Sequence, residues 1–279
     1  MPNDLWSSHR YAFAESTAKT AGRQIQEQTE RSGQVKDIST RELVTQMDRR
    51  VEKFIIQSIL DDFPCDGILG EESGHIKGDS GYLWVIDPID GTTNYANHIP
   101  IYCVSIAVLK DNIPIIGVVY DPNRGDYFRA VCGGGAYCGK TRLNVSEVPL
   151  SPSSVLGFSS RFIQGLPSHV TKLIEHFDEY RNLGSAVLHL CYTAQGWFDG
   201  AFAHSTRLWD IAAGGLILEE AGGYLRDFSM EPIFPLRCPP ANYTANYVPF
   251  VAAGTLDNIQ SLNPFFKQDS SIGPALHNP

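Results

Sequence analysis

Two aspartates lie three residues apart in the stretch 84–94, which reads WVIDPIDGTTN. Asp87 ends an apolar run, and Asp90 follows a Pro-Ile pair in which Pro88 lacks the N–H that a regular strand ladder needs. Carboxylates brought together by such a turn repel each other, and a shared divalent cation relieves that repulsion. The stretch therefore predicts a metal site, with the Ile89 carbonyl as a further candidate ligand. The alternative is an exposed acidic turn in which Asp90 is a helix N-cap.

The residues after Asp90 are typical of a helix start that binds phosphate. Gly91, Thr92 and Thr93 open a predicted short helix, and the free backbone N–H groups at such a start bind anions well. Gly91 also lets a phosphate approach the backbone closely. A cation on one side and a helix N-terminus on the other would hold a phosphate from two directions. The threonines are alternatively capping hydroxyls, and we expect one to be functional and the other structural.

Three further groups of acidic residues are candidates to complete the site. Glu71 and Glu72 follow a short apolar strand, and one of them could reach a cation; by itself the pair is an ordinary solvated turn. Asp210 begins the helical stretch WDIAAG at 209–214, where an aspartate is equally the usual N-cap. Asp48 lies among apolar neighbours on a predicted helix, and a salt bridge is the simple alternative because a buried carboxylate needs a partner.

The composition restricts the classes of function. The 279 residues carry a formal net charge of −9, which argues against a nucleic-acid-binding surface because such surfaces have a basic excess. None of the six cysteines forms a C-x-x-C pair, so we expect reduced thiols rather than disulfides or a zinc site. We find neither a secretory signal nor an apolar run long enough to span a bilayer. We therefore expect a cytoplasmic protein that binds neither nucleic acid nor membrane.

Hydrophobic periodicity predicts two halves of different construction. The first half is expected to pack helices at 6–31 and 45–62, joined by a mobile loop at 35–41, on an antiparallel sheet with strands at 68–70, 82–87, 102–109, 113–120 and 127–131. The second half alternates strands and helices, a pattern typical of an α/β arrangement. Its strands are expected at 155–158, 180–183, 198–203, 224–227 and 250–254, and its helices at 167–177, 185–196 and 210–221. The polar tail 266–279 is expected to be frayed.

Together these motifs resemble the inositol monophosphatase family of Mg²⁺-dependent, lithium-sensitive phosphatases. The resemblance rests on residues 84–94, on 209–214 with the EAGG that follows at 220–223, and on the blocks GEES at 70–73 and LVTQMD at 43–48. It implies an α+β fold, a layered α-β-α-β-α sandwich that usually forms a homodimer. The single domain would cover residues 1–279, with an N-terminal α+β lobe to about residue 150 and an α/β lobe over about 151–265.

The resemblance also implies a role for each matching residue. Two or three Mg²⁺ ions would activate water for in-line attack on a phosphomonoester. The implied metal ligands are Glu71, Asp87, the Ile89 carbonyl, Asp90 and Asp210. The implied catalytic residues, which orient and activate the water, are Asp48, Glu71 and Thr92. The implied substrate contacts are Glu71, Ile89, Asp90, Gly91, Thr92, Gly184, Ser185, Ala186 and Asp210.

One position departs from the animal enzymes of this family. They carry, seven residues before the helix-opening aspartate, a glutamate that contacts inositol hydroxyls; Ala203 stands there in this chain, and a methyl group cannot accept a hydrogen bond. Arg207 or His204 could contact a more highly charged substrate instead, and Lys36 corresponds approximately to the lysine of the family's flexible loop. The implied substrate is inositol 1-phosphate or a similar small polyol or sugar phosphate. Fructose 1,6-bisphosphate, histidinol phosphate and a 3′-phosphonucleotide are the alternatives.

A role outside catalysis is the third hypothesis. Some members of the family act in regulation by binding transcription or RNA machinery, so this chain could be a regulatory binding protein with residual activity. Such a role would make the metal site dispensable. The complete set of acidic residues favours the enzyme.

Overall fold

The structure is a computed structural model that describes residues 3–32, 39–159 and 167–266. Its first part contains, in order, α1 (Asn3–Trp6), α2 (His9–Ser32), α3 (Ser39–Asp62), β1 (Gly67–Gly70), β2 (Gly74–Ile76), β3 (Tyr82–Asp90), α4 (Thr92–Ala96), β4 (Cys103–Lys110), β5 (Ile113–Asp121), β6 (Asp126–Val131), β7 (Gly135–Cys138) and β8 (Thr141–Arg142). Its second part contains β9 (Val155–Ser159), α5 (Ser168–His176), β10 (Glu179–Arg181), α6 (Ala186–Ala194), β11 (Gly200–Ala203), α7 (Ala212–Glu220), β12 (Tyr224–Arg226), a 3₁₀ helix (Pro240–Thr244), β13 (Phe250–Ala253) and α8 (Leu256–Phe266).

The described strands form two sheets. The first has the order β2-β1-β3-β4-β5-β6-β7-β8, and the second has the order β10-β9-β11-β13-β12. The prediction of an antiparallel first sheet is wrong at one pair, because β1 and β3 run parallel. The hairpin partner β2 lies outside β1, so β3 joins the free side of β1 in the same direction. The second sheet combines parallel pairs around β9 with an antiparallel β13.

Helices cover both sheets and also separate them. On the outer face of the first sheet, α2 and α3 bury apolar side chains such as Ala18, Ile25 and Ile55. Between the sheets, α6 and α7 fill the largest hydrophobic core. Helices α5 and α8 cover the outer face of the second sheet. These five layers confirm the predicted α-β-α-β-α sandwich and its α+β class.

The middle layer requires close packing. A Cβ atom on Gly117 of β5 would lie 2.8 Å from the Ala213 carbonyl oxygen of α7, so only a glycine permits this approach of helix to sheet. Strand β8 ends at Arg142 and β9 begins at Val155, on either side of the lobe boundary proposed near residue 150. The contact between α7 and β5 therefore joins elements from the two proposed lobes.

Several element boundaries differ from their predictions. Helix α3 begins at Ser39 rather than at residue 45, because polar residues form a helical turn here and polarity alone does not distinguish that turn from a loop. Strand β3 continues to Asp90, and α7 begins only at Ala212. Residues 33–38, with Lys36, and the tail from 267 lie outside the described residues. No helix in the described ranges combines the length and apolar content that a bilayer crossing requires.

Candidate metal centre

A pocket of about 560 Å³ opens where the ends of β1 and β3 meet the starts of α6 and α7. It collects most of the residues that the resemblance implied for the site. Those that line it are Glu71, Asp87, Ile89, Asp90, Gly91, Thr92, Gly184, Ala186 and Asp210. The remaining two, Asp48 and Ser185, are buried side chains.

Three aspartates converge on the floor of this pocket. Asp87, Asp90 and Asp210 each place one carboxylate oxygen within 4.8 Å of the other two. Asp87 is 1% exposed and Asp90 is 7% exposed, whereas Asp210 is half-buried. Burial, and then the charge of neighbouring carboxylates, raises the pKa of Asp87 and of Asp210 well above the usual range. Such a cluster is costly to ionise unless a cation shares it.

An irregularity in β3 brings two of these carboxylates to one side. Side chains three residues apart in a regular strand point to opposite faces of the sheet. The register between β3 and β4 shifts between Asp87 and Asp90, and such a bulge redirects a side chain. The Ile89 N–H donates to Asp87 Oδ1 at 3.0 Å and closes the turn. Asp90 is therefore a strand residue, and the next residue, Gly91, is the N-cap of α4.

Asp90 also caps the start of α6. Its carboxylate accepts hydrogen bonds from the Ser185 hydroxyl, from the Val187 N–H at 2.9 Å and from the Ala186 N–H at 3.3 Å. Burial raises the pKa of Asp90 to about 6, and these hydrogen bonds limit the rise. Ser185 is fully buried behind Asp90 and is itself the N-cap of α6. Its implied substrate contact stays a prediction.

Asp210 is not the N-cap of α7, a position that Ile211 occupies. The Asp210 carboxylate instead accepts a hydrogen bond from the Arg207 N–H at 2.7 Å. This contact closes a turn before the helix and positions Asp210 so that one of its carboxylate oxygens joins the cluster. The helix that was expected to begin at Asp210 therefore begins two residues later, at Ala212.

Glu71 and Glu72 point in different directions. Glu71 lines the pocket, and burial followed by the charge of Asp90 raises its pKa to about 7. Glu72 turns away and forms an ion pair with Arg49 at 3.1 Å. The turn that carries both glutamates is fixed by the buried Glu52, whose carboxylate accepts the Glu72 N–H at 2.9 Å.

Asp48 lies behind Glu71 with an incomplete set of partners. It is 4% exposed, and burial followed by the charges of Glu71, Glu72 and Glu52 raises its pKa to about 8. Its Oδ1 is shielded from solvent and accepts no hydrogen bond. The alternative of a salt bridge is wrong among the described residues, because Arg49 pairs with Glu72 instead. A free buried acceptor beside an acidic pocket is suited to a water molecule held at the site.

The loop after Asp90 is fixed by a glycine conformation and by side-chain hydrogen bonds. Gly91 adopts φ 96°, and a Cβ there would lie 2.9 Å from the Ile101 carbonyl oxygen. The Thr92 hydroxyl donates to the Ile89 carbonyl at 2.9 Å. The Asn94 side chain donates to the Ile101 and Leu183 carbonyls and so ties α4 to the chain segment before α6.

The donor set fits a hard divalent cation. Its atoms are carboxylate oxygens, with a backbone carbonyl oxygen beside them, and Mg²⁺ prefers such ligands. Among the described residues, no ion pair neutralises the carboxylates on the pocket floor. The unpartnered Oδ1 of Asp48 adds a further acceptor for a water molecule.

Part of the pocket lining carries no recognisable signal in the sequence. His204 and Arg207, which were considered as substrate contacts, do line the pocket, whereas Ala203 is fully buried in β11. The residues that were missed are Ser159, Ser205, Thr206, Trp209 and Tyr247, whereas Thr93, expected at the helix start, also lines the pocket. Most of them follow strand ends or lie in irregular segments, where no periodic pattern marks them.

A five-layer sandwich with clustered carboxylates between its layers defines a candidate metal-binding protein. The model of the inositol monophosphatase family matches residues 6–255. The chain belongs to the inositol monophosphatase family.

Curated relatives are similar over most of their length. The Nus factor SuhB of Pasteurella multocida is 42% identical over 197 residues, which cover 68% of this chain and 74% of that protein. The Nus factor SuhB of Haemophilus influenzae is 39% identical over 219 residues, which cover 76% of this chain and 82% of that protein.

Solved structures of the family superpose on most of this chain. The inositol monophosphatase of Anabaena (Nostoc) sp. PCC 7120 gives a TM-score of 0.78 at 30% identity, covering 92% of this chain and 95% of that one. Inositol monophosphatase II of Staphylococcus aureus MSSA476 gives a TM-score of 0.79 at 26% identity, covering 93% of each chain.

Proposed function

We propose that this protein is a Mg²⁺-dependent phosphomonoesterase that hydrolyses inositol 1-phosphate or a similar small polyol or sugar phosphate. The observation that carries the proposal is the convergence of Asp87, Asp90 and Asp210, with one oxygen of each within 4.8 Å of the others. Membership of the family supports the same conclusion. We expect a cytoplasmic homodimer that is inhibited by Li⁺, as the resemblance implies.

The carboxylates would hold the metal. Glu71, Asp87 and the Ile89 carbonyl would hold one Mg²⁺, while Asp87, Asp90 and Asp210 would hold a second; a third would bind near Glu71 largely through water. Bound Mg²⁺ supplies charge neutralisation for the phosphate and lowers the pKa of coordinated water. The protein contributes the position of these groups, and positioning accounts for much of the rate in such reactions.

Asp48 and Thr92 would orient the attacking water. The unpartnered Oδ1 of Asp48 is a free acceptor for one water proton. The Thr92 hydroxyl donates its hydrogen bond to the Ile89 carbonyl. Its oxygen lone pairs can therefore accept a hydrogen bond from the second proton of the water. The Gly91 and Thr92 N–H groups would bind the phosphate, as expected of a helix start. Gly184 and Ala186 would contact the alcohol part of the ester from the opposite wall.

The proposal specifies the phosphate chemistry more narrowly than the identity of the leaving alcohol. Solved structures of inositol monophosphatase II of Staphylococcus aureus contain bound 2′AMP in one case and bound inositol monophosphate in another, so that relative binds phosphates of quite different alcohols. Fructose 1,6-bisphosphate, histidinol phosphate and a 3′-phosphonucleotide therefore remain alternatives on the same site.

A regulatory binding role is the second candidate function. Relatives up to 42% identical carry the name Nus factor SuhB, which favours an association with a transcription complex. The formal net charge of −9 is unfavourable for direct contact with a nucleic-acid backbone. We therefore rank this role below the enzyme and expect any such partner to be reached through protein contacts.

A screen for Mg²⁺-dependent phosphate release from small phosphomonoesters tests the proposal. We expect turnover of inositol 1-phosphate or a related ester that chelation of Mg²⁺ abolishes. Replacing Asp90 with asparagine should remove nearly all turnover, because the cluster loses a charged ligand while the side chain keeps its size and one oxygen acceptor for the start of α6. Turnover that survives in Asp90→Asn would reject the catalytic assignment, and full biological rescue by an inactive Asp90→Asn protein would favour the regulatory role.

A further inference from the structure

One wall of the pocket carries a positive charge that faces the alcohol side of the proposed substrate. Arg207 and Tyr247 both line the pocket, and the Arg207 guanidinium carbon lies 4.1 Å from the centroid of the Tyr247 ring. A guanidinium stacked on an aromatic face keeps its orientation and its hydrogen-bonding edge. The inference drawn from this wall rests on the proposed phosphatase function.

Backbone contacts hold the two side chains next to each other. The Thr206 hydroxyl donates to the Val248 carbonyl at 2.6 Å, and the Val248 N–H donates to the Thr206 carbonyl at 2.7 Å. These two bonds join the residue before Arg207 to the residue after Tyr247. The backbone N–H of Arg207 also donates to the Asp210 carboxylate at 2.7 Å, so the backbone of the arginine is fixed relative to the acidic floor.

No acidic side chain among the described residues neutralises the Arg207 guanidinium. It forms no ion pair within the part of the chain that the structure describes. Its Nη1 is shielded from solvent and donates no hydrogen bond. Buried donors are nearly always satisfied, so this guanidinium at the pocket wall keeps hydrogen-bonding capacity that no protein group uses. Ala203, at the position where the animal enzymes carry a glutamate, adds no negative charge nearby.

We propose that Arg207, held by Tyr247, recognises a second oxyanion on the alcohol part of the substrate. Guanidinium groups bind phosphate and carboxylate through two parallel hydrogen bonds, which a neutral hydroxyl group cannot reproduce. The preferred substrate is thus a phosphomonoester whose leaving group carries another phosphate or a carboxylate. The acidic floor takes the scissile phosphate through cations, and the arginine takes the second anion directly.

Matched pairs of esters test this assignment. 2-Phosphoglycerate and glycerol 2-phosphate differ by one carboxylate, and fructose 1,6-bisphosphate and fructose 1-phosphate differ by one phosphate. We measure kcat/KM on all four with the wild type, Arg207→Gln, Arg207→Lys and Tyr247→Leu. The control is Arg181→Gln, because Arg181 is an exposed arginine paired with Glu179 and does not line the pocket.

We expect the wild type to prefer the ester with the second oxyanion in at least one pair, by about tenfold in kcat/KM. Arg207→Gln should reduce this preference by about tenfold, with the loss mainly in KM, and Arg207→Lys and Tyr247→Leu should reduce it less. Arg181→Gln should match the wild type. The pair that shows the effect distinguishes carboxylate from phosphate recognition.

Two results would overturn the assignment: no preference in the wild type for either second oxyanion, or an equal loss in Arg207→Gln on both members of each pair. If the wild type hydrolyses neither inositol 1-phosphate nor any of the four esters, the proposed function fails by itself. Calorimetric binding of the same esters in the presence of Mg²⁺ then decides the role of Arg207. Equal affinity within both pairs would contradict that role.

Discussion

At the scale of single residues, the candidate site is a set of carboxylates held where ionisation is unfavourable. Burial raises the pKa of Asp48 to about 8 and that of Glu71 to about 7, and each carboxylate raises the pKa of its neighbours. A protein without a ligand for these groups would have little reason to keep them together. The arrangement lowers stability in order to bind a cation, a trade that is common at functional sites.

Asp48→Asn tests this trade at one residue. The amide keeps the shape of the side chain and removes a charge from a buried acidic environment. We expect the free energy of unfolding in EDTA at neutral pH to rise by about 1 kcal/mol or more. We also expect kcat with Mg²⁺ to fall by about a hundredfold or more. The amide oxygen can still accept a hydrogen bond from the water, but it cannot take up the water's proton.

The matched control for Asp48→Asn is Asp61→Asn. Asp61 is an exposed aspartate of the same helix, α3, where it accepts a hydrogen bond from Gln57. It should change neither quantity measurably. A stability of Asp48→Asn equal to or below that of the wild type in EDTA would contradict the electrostatic interpretation, and an unchanged kcat would remove Asp48 from the catalytic residues.

His189 is a second residue whose burial has a measurable consequence. It lies on α6, fully buried, and its Nε2 accepts the Leu183 N–H at 3.0 Å while its Nδ1 has no partner. Burial lowers its pKa to about 3. In the unfolded chain the imidazole takes up a proton below about pH 6.5. The unfolded state therefore binds more protons between about pH 6.5 and 3, and stability falls as the pH decreases through that window.

We expect the pH dependence of stability to change in His189→Gln. The glutamine keeps an acceptor for the Leu183 N–H and does not titrate. Between pH 7 and pH 5 the wild type should lose about 2 kcal/mol more of its unfolding free energy than the variant, as measured by urea denaturation in EDTA. Parallel pH curves for the two proteins would show that His189 is not held in its neutral form.

At the scale of elements, the site depends on features that interrupt regular structure. The irregularity of β3 turns Asp87 and Asp90 to the same side, and Asp90 then caps α6, whose N-terminal Ser185 is 95 residues further along the chain. The capping contact couples a proposed metal ligand to the helix that forms the opposite wall. A carboxylate at a helix N-terminus is also stabilised by the helix dipole.

Glu52 plays a comparable part for Glu71. Its carboxylate is 2% exposed and accepts the Glu72 N–H at 2.9 Å and the Ser73 N–H at 2.6 Å. In Glu52→Gln one of these N–H groups would face the amide NH₂, so the turn that presents Glu71 should loosen. We expect a fall in unfolding free energy of about 1–3 kcal/mol. The Mg²⁺ concentration for half-maximal phosphate release should rise about tenfold, because residues that hold a metal ligand in position also set the affinity for the metal.

The exposed Glu175 of α5 provides the matched control, and Glu175→Gln should leave both the stability and the Mg²⁺ dependence as in the wild type. A Glu52→Gln variant that loses stability but keeps its Mg²⁺ dependence would limit Glu52 to a structural role. The comparison is made at saturating substrate so that a change in KM does not imitate a change in metal affinity.

Local sequence signals predicted the parts of the site that are local. The pair Asp87 and Asp90 with Gly91 was recognisable because the strand, the turn and the helix start follow one another directly. The contact of Asp90 with Ser185 and the position of Tyr247 beside Arg207 depend on packing between distant segments. Their sequence patterns are those of any helix cap or loop.

At the scale of the whole molecule, the layered fold brings both sheets to one pocket. Strands β1 and β3 of the first sheet supply Glu71, Asp87 and Asp90, and the segment between β11 and α7 supplies Asp210 and Arg207. Period-two and helical patterns predicted these layers, because each strand and helix buries a face. The parallel pairing of β1 with β3 was not predictable from such patterns, since alternation of apolar residues does not specify strand direction.

The most direct test of the central claim is an anomalous difference map of a crystal grown with Mn²⁺, which accepts the oxygen ligands that Mg²⁺ binds. We predict at least one strong peak in contact with carboxylate oxygens of Asp87, Asp90 and Asp210, and its loss in Asp90→Asn crystals. A map without a peak at these three residues, from a crystal whose enzyme releases phosphate in the presence of Mn²⁺, would contradict the account.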